Sequence, residues 1–160
     1  MENKKYLSSG IYLINKKFKK NQFYHYFEEP DNVIVIPKVG KKFILVNQKR
    51  EPINKKNYEF PMGWIDKGEK PLSAAKRELE EETGYKSQKK LKFFLKFYAD
   101  PGRGNRNCYC YVIDKLIRNK KPEKGIKIFF KTKEQIIKMI QSKKFNNASH
   151  IAAFSFYINT

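Results

Sequence analysis

A set of four glutamates constrains this chain more than any other feature. Glu78, Glu81 and Glu82 fall at i, i+3 and i+4 in a segment from Pro71 to about Thr83, where Leu72, Ala75 and Leu79 recur with the spacing of one buried helical stripe. Pro71 suits the first turn of a helix, and Gly84 suits the residue just past its end. On such a helix the three carboxylates share one face, where like charges repel and weaken the helix. Glu69, just ahead of it, adds a fourth. The chain as a whole is basic, with 35 Lys and Arg against 16 Asp and Glu and a formal charge of +19, so the acids are gathered here against the prevailing sign. One explanation is a solvated acidic face balanced by Arg77 and nearby lysines. The other is a site for a hard cation such as magnesium, which takes oxygen ligands from a few carboxylates, water and substrate phosphate.

A length of 160 residues with 40% hydrophobic and 15% aromatic content suits one folded domain with a real core. No apolar run approaches the ~20 residues of a membrane span, and no signal core follows Lys4 and Lys5, so a soluble, cytoplasmic protein is expected. Cys108 and Cys110, two apart in a strand-like run, read as buried thiols rather than a disulfide. Only five basic residues are arginine: Arg50, Arg77, Arg103, Arg106 and Arg118. The lysines, at 16–20 and 41–42 among other places, form no dense tract. The positive field attracts phosphates, RNA included, but selects no partner.

Along the chain, residues 1–30 show no clear period. Asn32–Pro37 and Lys41–Val46 read as a hairpin across Val39-Gly40, and 49–60 as a charged loop. After the helix at 71–83, strands are expected near 91–99, 107–114 and 126–131, the first two separated by the Asp100-Pro101-Gly102 turn. Lys133 to about Lys143 reads as an amphipathic helix with Ile136, Ile137 and Ile140 inside, and a second short helix begins after Asn147. This order gives a single α+β or α/β/α domain.

Gly63, Glu69, Arg77, Glu78, Leu79, Glu81, Glu82, Gly84 and Tyr85, nine positions within 23 residues, resemble the Nudix box at each defined position and interval. The resemblance implies an α/β/α sandwich around a mixed sheet and magnesium-dependent hydrolysis of a diphosphate linkage, with manganese as a substitute metal. It implies that Glu78 and Glu82 ligate metal, that Glu81 is a ligand or the base, that Arg77 holds the carboxylates by salt bridging, and that Glu69 braces the loop. Gly63 and Gly84 would provide backbone geometry that a side chain would obstruct. Glu123 is the candidate for a late catalytic glutamate.

The flanks resemble the ADP-ribose pyrophosphatase branch. Glu59-Phe60-Pro61-Met62-Gly63 is similar to the family's approach to the box, where the carbonyl of the residue before glycine, here Met62, also binds metal. Pro101, sixteen residues past Tyr85, matches the proline of that branch, and Gln48-Lys49-Arg50-Glu51-Pro52 resembles a loop whose arginine approaches substrate. Asn147–Ala153 is similar to the closing helix. The implied substrate is ADP-ribose or another nucleotide sugar, with Arg50, Gly63 and Pro101 near it. Arg103 and Arg106 stand where an acidic residue is usual, and two cations there suit a nucleoside triphosphate or an RNA 5′ end. A third reading is a non-catalytic nucleotide-sensing or RNA-binding module. Residues 1–160 are read as one Nudix domain, with 1–30 as a candidate homodimer-forming segment. Phe23, Tyr24, Tyr26 and Phe27 read as core or dimer contacts before base-stacking groups, and His25 and His150 as structural. Trp64 is read either as lying near substrate or as packing beneath the loop.

Overall fold

The structure, a computed structural model, describes residues 2–160. It begins with an antiparallel sheet of β1 (Glu2–Ser8), β2 (Ile11–Lys19) and β3 (Gln22–Glu28), turned at Ser9-Gly10 and at Asn21, all with positive φ. Three strands therefore occupy a stretch whose sequence shows no period. The reason is burial: among the described residues of this sheet only Ile14 is fully buried, and lysines and aromatics occupy both faces, so no inside-outside alternation is written into the chain. Phe27 ties this sheet to the body, donating to the Arg103 carbonyl at 2.8 Å and accepting from Asn105 N at 3.2 Å.

The body is a seven-stranded mixed sheet. β4 (Asn32–Val39) and β5 (Lys42–Arg50) are the expected hairpin, with Gly40 at φ 59° in its turn. They pair only at its base, Lys38 with Phe43 and Val39 with Lys42, and then diverge. β6 (Lys55–Glu59) pairs with β5 and β7 (Met62–Trp64) with β4, so the Phe60-Pro61 link between them lies in the split. The expected loop at 49–60 is thus corrected: β5 runs to Arg50, and a 3-10 turn at Glu51–Ile53 and left-handed Asn54 lead into β6. The alternation of β6 was hidden because its buried positions, Asn57 and Glu59, are polar.

After α1 (Pro71–Thr83) come β8 (Tyr85–Ser87), β9 (Lys92–Tyr98), β10 (Asn107–Ile113), β11 (Leu116–Arg118) and β12 (Lys127–Thr132). The sheet order is β12-β5-β4-β10-β9, with β10 parallel to β4, and β8 and β11 pair with each other. α2 (Lys133–Gln141) starts on a capping box between Thr132 and Gln135, and Asn147 caps α3 (Ala148–Asn159), which at 12 residues is longer than the short helix expected.

β4 shows why the molecule has three layers. Val33 and Val35 point to one side, into a core with Ala74, Ala75 and Leu79 of α1. Ile34 and Ile36 point to the other, into a core with Ile136 of α2, Phe154 of α3 and both buried cysteines. The fold is the expected mixed α+β sandwich. Among the described residues no helix is long and apolar enough to cross a membrane.

Candidate active site

α1 delivers its carboxylates to the split in the sheet. Gly84, at φ 74°, ends the helix with its N–H on the Glu80 carbonyl at 2.9 Å, and its own carbonyl accepts from Asn119 and Lys120. Arg77 gathers the acids. Its guanidinium grips Glu69 in a two-pronged contact at 3.2 and 2.9 Å, reaches Glu78 at 2.5 Å and Glu81 at 3.2 Å, and donates to the Trp64 carbonyl at 2.9 Å. The Arg77 hydrogen bond, helped by the Asp66 N–H, holds the Glu69 carboxyl below its ordinary range. Glu69 in turn is the foremost of the groups that raise Arg77.

Glu78 and Glu82 are the costly members. Burial pushes the Glu78 carboxyl up, and the charges of Glu81 and Glu123 add to the shift against Arg77. Burial pushes Glu82 up to about 7, although Met62 N donates to it at 3.0 Å and Gln48 Nε2 at 2.7 Å. The Glu78 carboxylate lies against the backbone of Gly63, so closely that a β-carbon there would overlap it. Glycine at 63 is therefore a cradle for a carboxylate.

A buried and a half-buried carboxylate, both raised by burial, and a ring of oxygen donors fit a hard divalent cation by their chemistry. As they stand, no three His, Cys, Asp or Glu side chains among the described residues converge as a metal site. The oxygens of Glu78 and Glu81 face Arg77 while those of Glu82 face Met62 and Gln48, so an ion must draw them from these partners.

Beside the carboxylates opens a cleft of about 740 Å³, reaching from Gly63 and Met62 to Arg50, Arg106 and Asn147. Its floor is built around Glu59, 1% exposed. Arg50 binds both Glu59 oxygens, Asn57 donates to Oε1 at 3.1 Å and Asn147 at 3.4 Å. Burial works to raise the Glu59 carboxyl, but Arg50, foremost, and Asn57 outweigh it and hold it low. His150, fully buried, accepts from the Phe60 N–H on Nδ1 at 3.2 Å, which leaves the proton on Nε2, facing Met62 Sδ at 2.9 Å. Burial, foremost, drops its pKa to about 4, so it is neutral.

The residues singled out from sequence fall into three places. Met62, Gly63, Glu69, Arg77, Glu78, Glu81 and Glu82 gather at the split; the exposed Glu123 joins them through its N–H on the Glu81 carbonyl at 2.9 Å. Arg50, Gly63, Arg106 and Trp64 line the cleft. Pro101 does not: it lines a separate pocket of about 440 Å³ with Tyr24, Tyr26 and Tyr98. Arg103 is exposed outside the cleft, and Arg106 inside it is paired with Glu29 at 3.0 Å. Asn32, Asn57 and the Glu59 hub were given no role by sequence reasoning. The signal was present as polar residues on apolar periods: Asn32 lies two before Ile34, and Glu59 pairs with Val46.

Residues 28–147 match the NUDIX domain. The chain is 32% identical over 120 residues to an ADP-ribose pyrophosphatase of Bacillus subtilis (strain 168) and 28% identical over 120 residues to a methanol dehydrogenase activator of Bacillus methanolicus. Each alignment covers 72% of this chain and 64% of the relative, so the chain spans just under two-thirds of these relatives' length. In fold it is similar to the crystal structure of an ADP compounds hydrolase, with a TM-score of 0.79, 20% identity, and coverage of 98% of this chain and 90% of that one.

Proposed function

The chain belongs to the NUDIX family, and from that premise we propose that it hydrolyses the diphosphate linkage of ADP-ribose or another nucleotide sugar. The observation that carries the substrate class is that both arginines of the cleft are already matched to acids, Arg50 to Glu59 and Arg106 to Glu29. No lysine lines the cleft among the described residues, whereas Asn32, Asn57, Asn146 and Asn147 do. Amides and neutralised guanidiniums suit hydroxyls and a modest charge. A triphosphate or an RNA 5′ end brings further negative charge and calls for unpaired cations, and Arg103, the other arginine invoked for it, is outside the cleft. The name of the Bacillus subtilis relative points the same way. A non-catalytic module would have no use for three glutamates held by one arginine beside a fourth, buried one.

Glu78 and Glu82, with the Met62 carbonyl and Glu81, are the groups that would hold magnesium, or manganese in its place. Bound there, the ion supplies neutralisation of the diphosphate's charge and a lowered pKa for water. Arg77 keeps Glu78 and Glu81 turned to the same side, and Glu69 keeps Arg77 in place. Glu81 accepts the proton of the attacking water, whose oxygen bonds to phosphorus as the bridging P–O bond breaks. Glu123, whose N–H bonds the Glu81 carbonyl and whose charge acts on Glu78, would share that proton. The products are a nucleoside monophosphate and a phosphorylated sugar. Arg50, fixed by Glu59, orients the substrate from the cleft side.

The test is product release with magnesium across ADP-ribose, other nucleotide sugars, nucleoside triphosphates and 5′-triphosphorylated RNA. Selective AMP release from ADP-ribose supports the reading. Preference for triphosphates or RNA would keep the chemistry and overturn the substrate. We also propose the N-terminal sheet as a dimer-forming segment, since Phe18 and Phe23 stand 69% and 56% exposed on it; a monomeric mass by light scattering would reject this.

A further inference from the structure

Two buried side-chain atoms among the described residues lack a hydrogen-bond partner, Oδ1 of Asn32 and Nε of Arg106, and both side chains line the cleft beside the carboxylates. Strand register brings them there. Asn32 opens β4, pairing with Trp64 of β7 on one edge and with Cys108 of β10 on the other, and Arg106 stands two residues ahead of Cys108. Asp31 pins this register by accepting from N and Nδ2 of Asn107 at 2.8 and 3.1 Å.

The position of Asn32 is costly. It continues the Ile34 and Ile36 stripe and is 1% exposed, so an apolar side chain there would simply extend the core. A buried amide oxygen left unpaired costs free energy that such a replacement avoids. Arg106 is constrained differently: Glu29 neutralises its outer nitrogen at 3.0 Å, so its unpartnered Nε is a directional donor rather than an unbalanced charge. A fixed acceptor and a fixed, charge-compensated donor suit adjacent hydroxyl groups, each of which both donates and accepts.

We propose that Asn32 and Arg106 form a hydroxyl-reading pair for the sugar that the substrate carries beyond its diphosphate. The amide oxygen accepts from one hydroxyl of a vicinal diol, and the guanidinium Nε donates to the next. This rests on the diphosphate-hydrolase reading and adds the groups that set its preference for a sugar ester.

The experiment compares kcat/KM for ADP-ribose with that for the terminal propyl ester of ADP, which keeps the diphosphate and loses the sugar hydroxyls. The wild type favours ADP-ribose. Asn32→Leu and Arg106→Met each lower that preference about 10- to 100-fold, mostly through KM, as loss of a hydroxyl contact in a built site requires. Asn32→Leu also melts at or above the wild-type temperature, a result a merely structural amide would not give. A turnover-independent arm measures ADP-ribose binding by calorimetry to Glu82→Gln with and without Asn32→Leu, with roughly tenfold weaker binding expected for the pair of changes. An unchanged preference, or a lower melting temperature with both esters losing equally, overturns the proposal. If the wild type cleaves neither ester, the hydrolase reading fails, and binding indifferent to Asn32→Leu then overturns the pair independently.

Discussion

The backbone of Gly63 and the carboxylate of Glu78 occupy space that no side chain at 63 could share. The contact joins β7 to α1, and it couples the cleft, which Gly63 lines, to the carboxylates behind it. Position 63 has no positive φ, so the demand for glycine there comes from the neighbour and not from the backbone.

Gly63→Ala should therefore displace Glu78 while sparing the fold. The expected result is a fall in kcat/KM of roughly 100-fold or more, with the melting temperature within a few degrees of wild type, since misplacing one group by about 1 Å can cost that much. Unchanged turnover by this variant would remove Glu78 from the site.

Arg77 is expected to tolerate no conservative exchange. Its fork serves Glu69, Glu78, Glu81 and the Trp64 carbonyl together, and a lysine offers one point charge in place of that geometry. Arg77→Lys should lose nearly as much kcat as Arg77→Ala, each on the order of 100-fold. Recovery of most activity in the lysine variant would reduce Arg77 to a charge-balancing role.

Removing metal should act on stability as well as rate. Repulsion among Glu78, Glu81 and Glu82 is only partly relieved by Arg77, so a divalent ion that binds the folded state should raise the melting temperature. At about 100 times its dissociation constant the gain is roughly 2.7 kcal/mol. A thermal melt with EDTA and then with excess magnesium reads this directly, and identical melts would argue against a metal held by these carboxylates.

At Gly84 the demand is conformational. It sits at φ 74°, and a β-carbon there would also overlap the Lys120 carbonyl. Gly84→Ala should destabilise by about 2–3 kcal/mol, the cost of a left-handed residue under steric pressure. Urea unfolding measures it; a change under 0.5 kcal/mol would mean that the 119–121 segment moves aside freely.

The helix, the box and the sheet strands with apolar cores could be read from the chain because their residues repeat with a period. Pro71 and Gly84 bracket α1 for the same reasons in sequence and in structure: a fixed φ at its start and a left-handed cap at its end. The N-terminal sheet and β6 were illegible for a shared reason. Their strand positions do not sort by polarity, in β1–β3 because the described positions are exposed or half-buried with Ile14 alone buried, and in β6 because the buried positions, Asn57 and Glu59, are polar. The carboxylate set was written locally, within one turn and one helix. The cleft was not, because Asn32, Arg50, Glu59, Arg106 and Asn147 meet only through strand register and the docking of α3. Spacing grouped Arg103 with Arg106, and the two do share a small pocket with Glu29 and Asp100, but only Arg106 also reaches the cleft.

The most direct test of the account is the release of AMP from ADP-ribose by wild type and by Glu82→Gln with magnesium present. Glutamine keeps the shape of Glu82 and removes a buried charge, so the variant should stay folded, melt no lower than wild type, and still bind ADP-ribose. Its turnover should fall by about 1,000-fold or more, the scale of losing a metal-holding carboxylate. Turnover equal to wild type in a folded Glu82→Gln protein would contradict the assignment of these glutamates as the centre of the chemistry.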